Sequence, residues 1–219
     1  MNLFTRGALL ALAAACLPAC NSMTATSIES LNLAISGKAN VISVDYIRSV
    51  KADSLYIQAG ATEGLFVAPA HSGERVNWYG LTEEVQTDHG RVTQLLGVEN
   101  DALIPLIPQD PFITGLMQVA DGAQVLRYAD YPLAYQTGLE QYATYRRGPV
   151  EKIDILGSVQ PHQRIDETIW MPQLDYKAIN YYWLDMQTGQ VRRSIQHISP
   201  TLPVMAITLT RLPSMGETP

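Results

Sequence analysis

The chain has 219 residues, 47% of them apolar and only 16% charged, with a net charge of −6. That is enough apolar material for one domain with a buried core, and it rules out a disordered polymer. The acidic balance leaves no basic face to displace counterions from phosphate, which excludes a nucleic-acid binder, and no stretch reaches the roughly 18 uninterrupted apolar residues of a membrane-spanning helix.

The first element is an address. Met1–Arg6 carries one positive charge, Gly7–Cys16 is an apolar run, and Leu17-Pro18-Ala19-Cys20 follows it. A basic start, a short apolar middle and a small residue before the cut make a bacterial export signal over residues 1–19. The ending resembles the lipobox of bacterial lipoproteins: Leu17, then the small residue Ala19, then Cys20, with Pro18 departing from the Ala, Ser or Thr usual at its place. That resemblance implies cleavage before Cys20, a diacylglycerol on its sulfur and an acyl chain such as palmitate on its new amino group. Each buried methylene adds about 0.8 kcal/mol, so several chains anchor firmly where one does not. Asn21, rather than Asp, at the next position implies the outer membrane by similarity to lipoprotein sorting in Gram-negative bacteria. The mature chain loses Arg6 and carries a net charge of −7. Cys16 reads as a small hydrophobe, and the body of the chain has no cysteine for a disulfide, a thiolate metal site or a catalytic thiol.

Residues 20–30 are small and polar, a tether between lipid and domain. From Leu31 the apolar pattern has period two. Strands are expected over Ser54–Ala59, Leu65–Ala70, Val76–Leu81, Glu84–Thr87, Arg91–Leu96, Gln124–Asp130, Leu139–Arg147, Val150–Val159, Arg164–Met171, Ala178–Asp185, Gln190–Ile198 and Val204–Arg211. Asp88-His89-Gly90 and Met186-Gln187-Thr188-Gly189 read as hairpin turns, with Gly90 and Gly189 at positions that need positive φ. The hairpins Glu84–Leu96 and Ala178–Ile198 share a turn ending in Gly, a trace of an internal repeat. Val98–Gly122, with Pro105, Pro108 and Pro111, reads as a long loop or short helix over the barrel edge. One further short helix is expected over Asp45–Val50. The fold expected over residues 31–213 is all-β, antiparallel twisted sheets forming an irregular sandwich or open barrel, and residues 214–219 form a disordered tail.

Catalytic patterns do not emerge. His71, His89, His162 and His197 lack metal-ligand spacing, and no metal or cofactor is expected. The nearest approach to GxSxG, Ile155-Leu156-Gly157-Ser158-Val159, lacks the second glycine and is placed in a strand. Asp154, Asp166, Glu167 and Asp175 are available as carboxylates, but the sequence singles out no pair for a glycosidase. What remains is aromatic and basic: Trp78, Tyr79, Trp170, Tyr181, Tyr182 and Trp183, with Arg146-Arg147 and Arg192-Arg193. Aromatic faces stack on sugar rings and Arg pairs with acidic groups. The glycan contacts expected are exposed members of Trp78, Tyr79, Tyr182 and Trp183, with Arg91, Arg192 or Arg193 nearby; the competing reading is that strand aromatics fill the core.

The order of several motifs resembles one family: the lipobox; Tyr46-Ile47 and Ser54-Leu55-Tyr56; the Trp78 strand running into Thr87-Asp88-His89-Gly90-Arg91-Val92; Leu95-Leu96-Gly97-Val98 with Asp110-Pro111 downstream; and Tyr182-Trp183 before Thr188-Gly189-Gln190-Val191. Together they are similar to the YjbF/YmcC (GfcB-type) lipoproteins of exopolysaccharide and group 4 capsule operons. The resemblance implies an outer-membrane lipoprotein of twisted, bifurcated β-sheets that faces the periplasm and acts in polysaccharide secretion. Its implied partners are the outer membrane through the lipid, the exopolysaccharide or capsule export proteins, and the polysaccharide itself. No catalytic residues come with it. Two functions are therefore weighed: a non-enzymatic accessory lipoprotein for exopolysaccharide or capsule assembly or secretion, and a periplasmic carbohydrate-modifying enzyme with an unrecognised site. Converging carboxylates or a Ser/His pair in a pocket would favour the second, an open aromatic groove the first.

Overall fold

The computed structural model describes residues 42–69 and 73–211. The signal over 1–19, Cys20, the tether over 20–30, His71 and the tail over 214–219 lie outside the described residues. The expected short helix is present as α1 (Val44–Ser49), started by Ser43, whose side chain accepts from the Tyr46 backbone N–H.

The strands are β1 (Ser54–Ala59), β2 (Thr62–Val67), β3 (Arg75–Tyr79), β4 (Glu84–Asp88), β5 (Arg91–Leu96), β6 (Ala102–Leu103), β7 (Gln124–Tyr131), β8 (Gln136–Ile155), β9 (Ser158–Met171), β10 (Tyr176–Asp185), β11 (Val191–Gln196) and β12 (Met205–Arg211). Each pairs antiparallel with its sequence neighbours, and β1 also pairs with β12, from Leu55 opposite Leu209 to Ala59 opposite Met205. The all-β antiparallel expectation holds, and the described strands close into an up-and-down barrel rather than an open one. Closure removes the unpaired edges that an open sheet would expose.

Local chemistry sets the turns. Asp88 pairs with Arg91 across a two-residue turn, with His89 at φ 51° and Gly90 at φ 83°. That is the primed geometry which matches strand twist. A side chain on Gly90 would also meet Val191, whose Cβ lies 2.5 Å from the ideal Cβ position. Gly189 has φ 73°, as expected, and its turn is held by the Asp185 carboxylate, which accepts from the Gln187 and Thr188 backbone N–H groups. The hairpins β4–β5 and β10–β11 therefore turn differently. Two other connections are built alike. The β7–β8 and β9–β10 connections are each a 3-10 turn opened by proline, Pro132–Ala134 and Pro172–Leu174, and closed by a left-handed residue, Tyr135 or Asp175.

Two segments depart from expectation. Leu139–Arg147 and the start of Val150–Val159 are one 20-residue strand, β8, interrupted by a bulge between Arg147 and Val150. The chain turns at Leu156-Gly157, so the Ile155–Val159 string spans a hairpin tip, with Ile155 ending β8 and Ser158 opening β9. Within Val98–Gly122, Ala102–Leu103 is the strand β6, and Pro111–Thr114 is a helix, α2, capped by the Asp110 side chain. This segment does not merely cover the edge, because Ile104, Asp110, Phe112 and Leu116 are all buried.

Strand alternation sends one residue in two inward. The inward side chains form two apolar clusters. One gathers Trp78, Val85, Val92, Leu95, Ala129, Met171 and Ile207. The other gathers Phe112, Val125, Tyr145, Ile165, Ile169, Tyr182 and Leu184.

Candidate functional site

The longest strands carry different chemistry on their two faces. On the inner face, β7 to β10 present Arg127, Gln141, Tyr145, Glu167, Asn180 and Tyr182 at alternate positions, and β5 adds Arg91. Arg127 donates to Asp110 through Nε at 2.5 Å and Nη2 at 3.1 Å, to Glu167 through Nη1 at 2.6 Å, and to the Tyr145 hydroxyl. Glu167 also accepts from Tyr145 at 3.0 Å, Asn180 at 2.8 Å and Tyr182 at 2.9 Å. Arg91 lies 3.8 Å from Glu167 and donates to Gln141 at 2.7 Å. Two cations thus face two anions, and Arg91, Arg127, Asp110 and Glu167 are each 0% exposed.

Burial raises the Glu167 carboxyl, but Arg91 and Arg127, with hydrogen bonds from Asn180 and Arg127, outweigh it and hold the group at about 2. Burial also works against the charge on Arg127, which Glu167, Tyr145 and Asp110 more than restore. Tyr145 and Tyr182 are pushed well up, first by burial and then by Glu167. Asp110 and Glu167 do converge, but on a guanidinium and out of solvent, so the pair fastens strands and the α2 segment together.

The expected glycan contacts are mostly committed to the fold. Trp78 lies in the first apolar cluster and donates its indole N–H to Thr87 at 2.8 Å. Tyr182 lies in the second, edge-on to Phe112 at 4.9 Å. Trp183 is buried, and its indole donates at 2.7 Å to Glu151, which stands beyond the β8 bulge. Arg91 belongs to the charged cluster. Arg192 and Arg193 are half-buried, and desolvation lowers both; Arg193 lies over the Trp183 ring at 6.0 Å. Tyr79 is the exposed member of the seven. Trp78 and Tyr182 cannot offer a ring face to a ligand because core side chains pack against it, and Trp183, on the face opposite Tyr182, is covered by Arg193 instead.

The outer face of β7 to β10 was the less legible one. Leu126, Tyr142, Trp170 and Lys177 are direct cross-strand partners, one from each strand. Tyr142 is 38% exposed and Trp170 43%, with ring centroids 5.5 Å apart and planes tilted by 33°. The Lys177 ammonium lies 5.8 Å from the Trp170 centroid. Tyr128, 52% exposed, stands opposite Glu140, which accepts from the Tyr142 hydroxyl at 2.8 Å and pushes that hydroxyl up. The adjoining rung is Gln124, Thr144, Thr168 and Ile179. Period two in β7, β8 and β9 was the available signal, since it assigns Tyr128, Tyr142 and Trp170 to the face opposite Arg127, Gln141 and Ile169.

Elsewhere, a cleft of about 340 Å³ lies between the α2 segment and the Met186–Gln190 turn, lined by Glu74, His89, Met117, Gln118, Thr188 and neighbours. Among the described residues no three His, Cys, Asp or Glu side chains are grouped to hold a metal ion. No helix among them is long and apolar enough to cross a membrane.

The family model for the group 4 capsule polysaccharide lipoprotein gfcB, YjbF, matches residues 28–210. No curated protein matches the chain. The crystal structure of the hypothetical lipoprotein YmcC from Escherichia coli (K12) superposes with a TM-score of 0.66 at 18% identity, covering 84% of this chain and 95% of that one. The likeness is one of fold. A protein from Parabacteroides distasonis ATCC 8503 gives a TM-score of 0.33 at 6% identity, over 73% of this chain and 92% of that one.

Proposed function

The chain belongs to the YjbF family of group 4 capsule polysaccharide lipoproteins, and from that premise we propose that it is a non-enzymatic accessory lipoprotein that assists assembly or secretion of an exopolysaccharide or capsule. It is held by lipid on Cys20 to the outer membrane, faces the periplasm, and works beside the export proteins. The observation that carries this reading is the family match over residues 28–210, with a lipobox immediately upstream of it. The interior supports an accessory role. Apolar clusters and a buried, charge-balanced cluster occupy it, as in a packed body rather than a conduit.

The test is made in the producing cell. Deleting the protein is expected to lower the polysaccharide that reaches the cell surface, and supplying the chain again is expected to restore it. Cys20→Ala is expected to move the protein from the membrane fraction to the soluble periplasm with an unchanged thermal midpoint, because the lipid lies outside the folded core. Surface polysaccharide that is unchanged by deletion would overturn the role, and a Cys20→Ala protein still in the outer-membrane fraction would overturn the anchor.

A further inference from the structure

We propose that the outer face of β7 to β10 is a glycan-stacking surface, with Tyr128, Tyr142 and Trp170 as platforms for successive pyranose rings and Lys177 and Glu140 as polar contacts beside them. The proposal rests on the accessory role in polysaccharide handling and names the surface that would meet the polysaccharide.

Three observations converge on this face. The first is its chemistry. The C–H faces of a pyranose are apolar and its rim is a ring of hydroxyls, so it needs a ring to lie on and both donors and acceptors alongside. Here Tyr142 and Trp170 are neighbours at 5.5 Å and open to solvent. Lys177 supplies a donor beside Trp170, and Glu140 supplies an acceptor beside Tyr142 and Tyr128. The adjoining Gln124, Thr144 and Thr168 can both donate and accept.

The second is its reach. Strands lie about 4.8 Å apart, so four neighbouring strands set out a row about 14 Å long. A row of that length receives several units of a chain rather than one small molecule.

The third is its rigidity. The inner faces of these same four strands carry Arg127, Gln141, Tyr145, Glu167, Asn180 and Tyr182, tied together by buried hydrogen bonds. Weak, exposed stacking gains most when the platforms need no ordering, and this backing supplies that order.

A protein partner suits the face less well. The centre of a protein interface is depleted of charged residues and more apolar than its rim. Here a lysine and a glutamate flank the rings, two threonines border them, and the aliphatic member of the row is Leu126.

The tryptophans make the test selective. Trp78 and Trp183 are buried while Trp170 is exposed, so acrylamide quenching of the mature chain reports chiefly on Trp170. The probes are the polysaccharide purified from the producing cells, a cello-oligosaccharide and an oligogalacturonate, each titrated by calorimetry and by quenching. Binding of at least one probe is expected, with Trp170 shielded from acrylamide. Trp170→Ala and Tyr142→Ala are each expected to weaken binding by up to about tenfold, the loss of one stacked ring. Tyr46→Ala, which removes an exposed ring on α1, is expected to leave it unchanged. Circular dichroism and the thermal midpoint confirm that each variant is folded.

No binding of any probe, binding with Trp170 still quenched, or parental affinity in the folded Trp170→Ala and Tyr142→Ala variants would overturn the surface. These failures are separable from failure of the accessory role, which is read from the deletion. If deletion lowers surface polysaccharide while the double variant Trp170→Ala, Tyr142→Ala binds glycan and exports it normally, the surface falls and the role stands.

Discussion

In equilibrium urea unfolding, Glu167→Gln is expected to be about 3–5 kcal/mol less stable than the parent chain, the loss typical of removing one partner from a buried ion pair. In a domain of this size that corresponds to a fall of roughly 10 °C in the thermal midpoint. Glu167 accepts from Arg127, Tyr145, Asn180 and Tyr182 and lies 3.8 Å from Arg91. The neutral amide keeps the shape but leaves two buried guanidinium groups facing the single carboxylate of Asp110, which Arg127 already engages in two hydrogen bonds. The stranded charge is that of Arg91. Adding Arg91→Met to Glu167→Gln should therefore recover part of the loss, since it restores the charge balance. A single variant that costs less than about 1 kcal/mol would mean that water or relaxation reaches the cluster, contrary to its full burial.

The same carboxylate makes the barrel sensitive to acid. Its folded value, about 2, is below the ordinary 4.5, so the unfolded chain binds the proton first as pH falls. The stabilisation is fully present above the unfolded value and is lost as pH drops from about 4.5 towards 2. Its size is about 3 kcal/mol. Urea midpoints measured across that window should fall steeply for the parent chain and less steeply for Glu167→Gln, which has no carboxyl to protonate there. Parallel curves for the two proteins would remove Glu167 as the acid-sensitive group.

The fold was more legible than the site because different physics writes them. Alternation and turn chemistry are local. Ser54–Ala59 and Arg91–Leu96 were placed to the residue, and Gly90 and Gly189 have the positive φ expected of them. The long β8 was broken in two because Gly148-Pro149 interrupts the pattern, and nothing local says that a bulge carries the strand through. The α2 segment looked like a surface loop because its prolines say only where helices and strands cannot run. Asp110 enters the barrel to meet Arg127, a residue 17 positions away in the chain. Burial of aromatics followed the same logic. Trp78, Tyr182 and Trp183 read as well for a surface as for a core until register decided which face each one takes. Trp170 was in the set of aromatics and was passed over, although alternation with the buried Ile169 and Met171 marks it as outward. The charged cluster was the least legible feature, since its members come from β5, the α2 cap and four further strands.

The wall of the barrel is uneven. Its register narrows to Val67 opposite Tyr79 between β2 and β3, and to Leu103 opposite Asp130 between β6 and β7. Between these two thin seams stand β3, β4, β5 and the short β6, a meander joined to the rest of the wall by few main-chain bonds. Fasteners cross the interior instead. The Gln196 side chain on β11 accepts from the Val92 N–H and donates to the Gly90 carbonyl, while Arg91 reaches Gln141. Amide exchange is expected to show these four strands opening together as one sub-global unit, latched by side chains from the far wall. The latch and the acid-sensitive cluster share Arg91, so this panel is coupled to the same buried carboxylate that ties together the β8–β10 sheet carrying Tyr142 and Trp170.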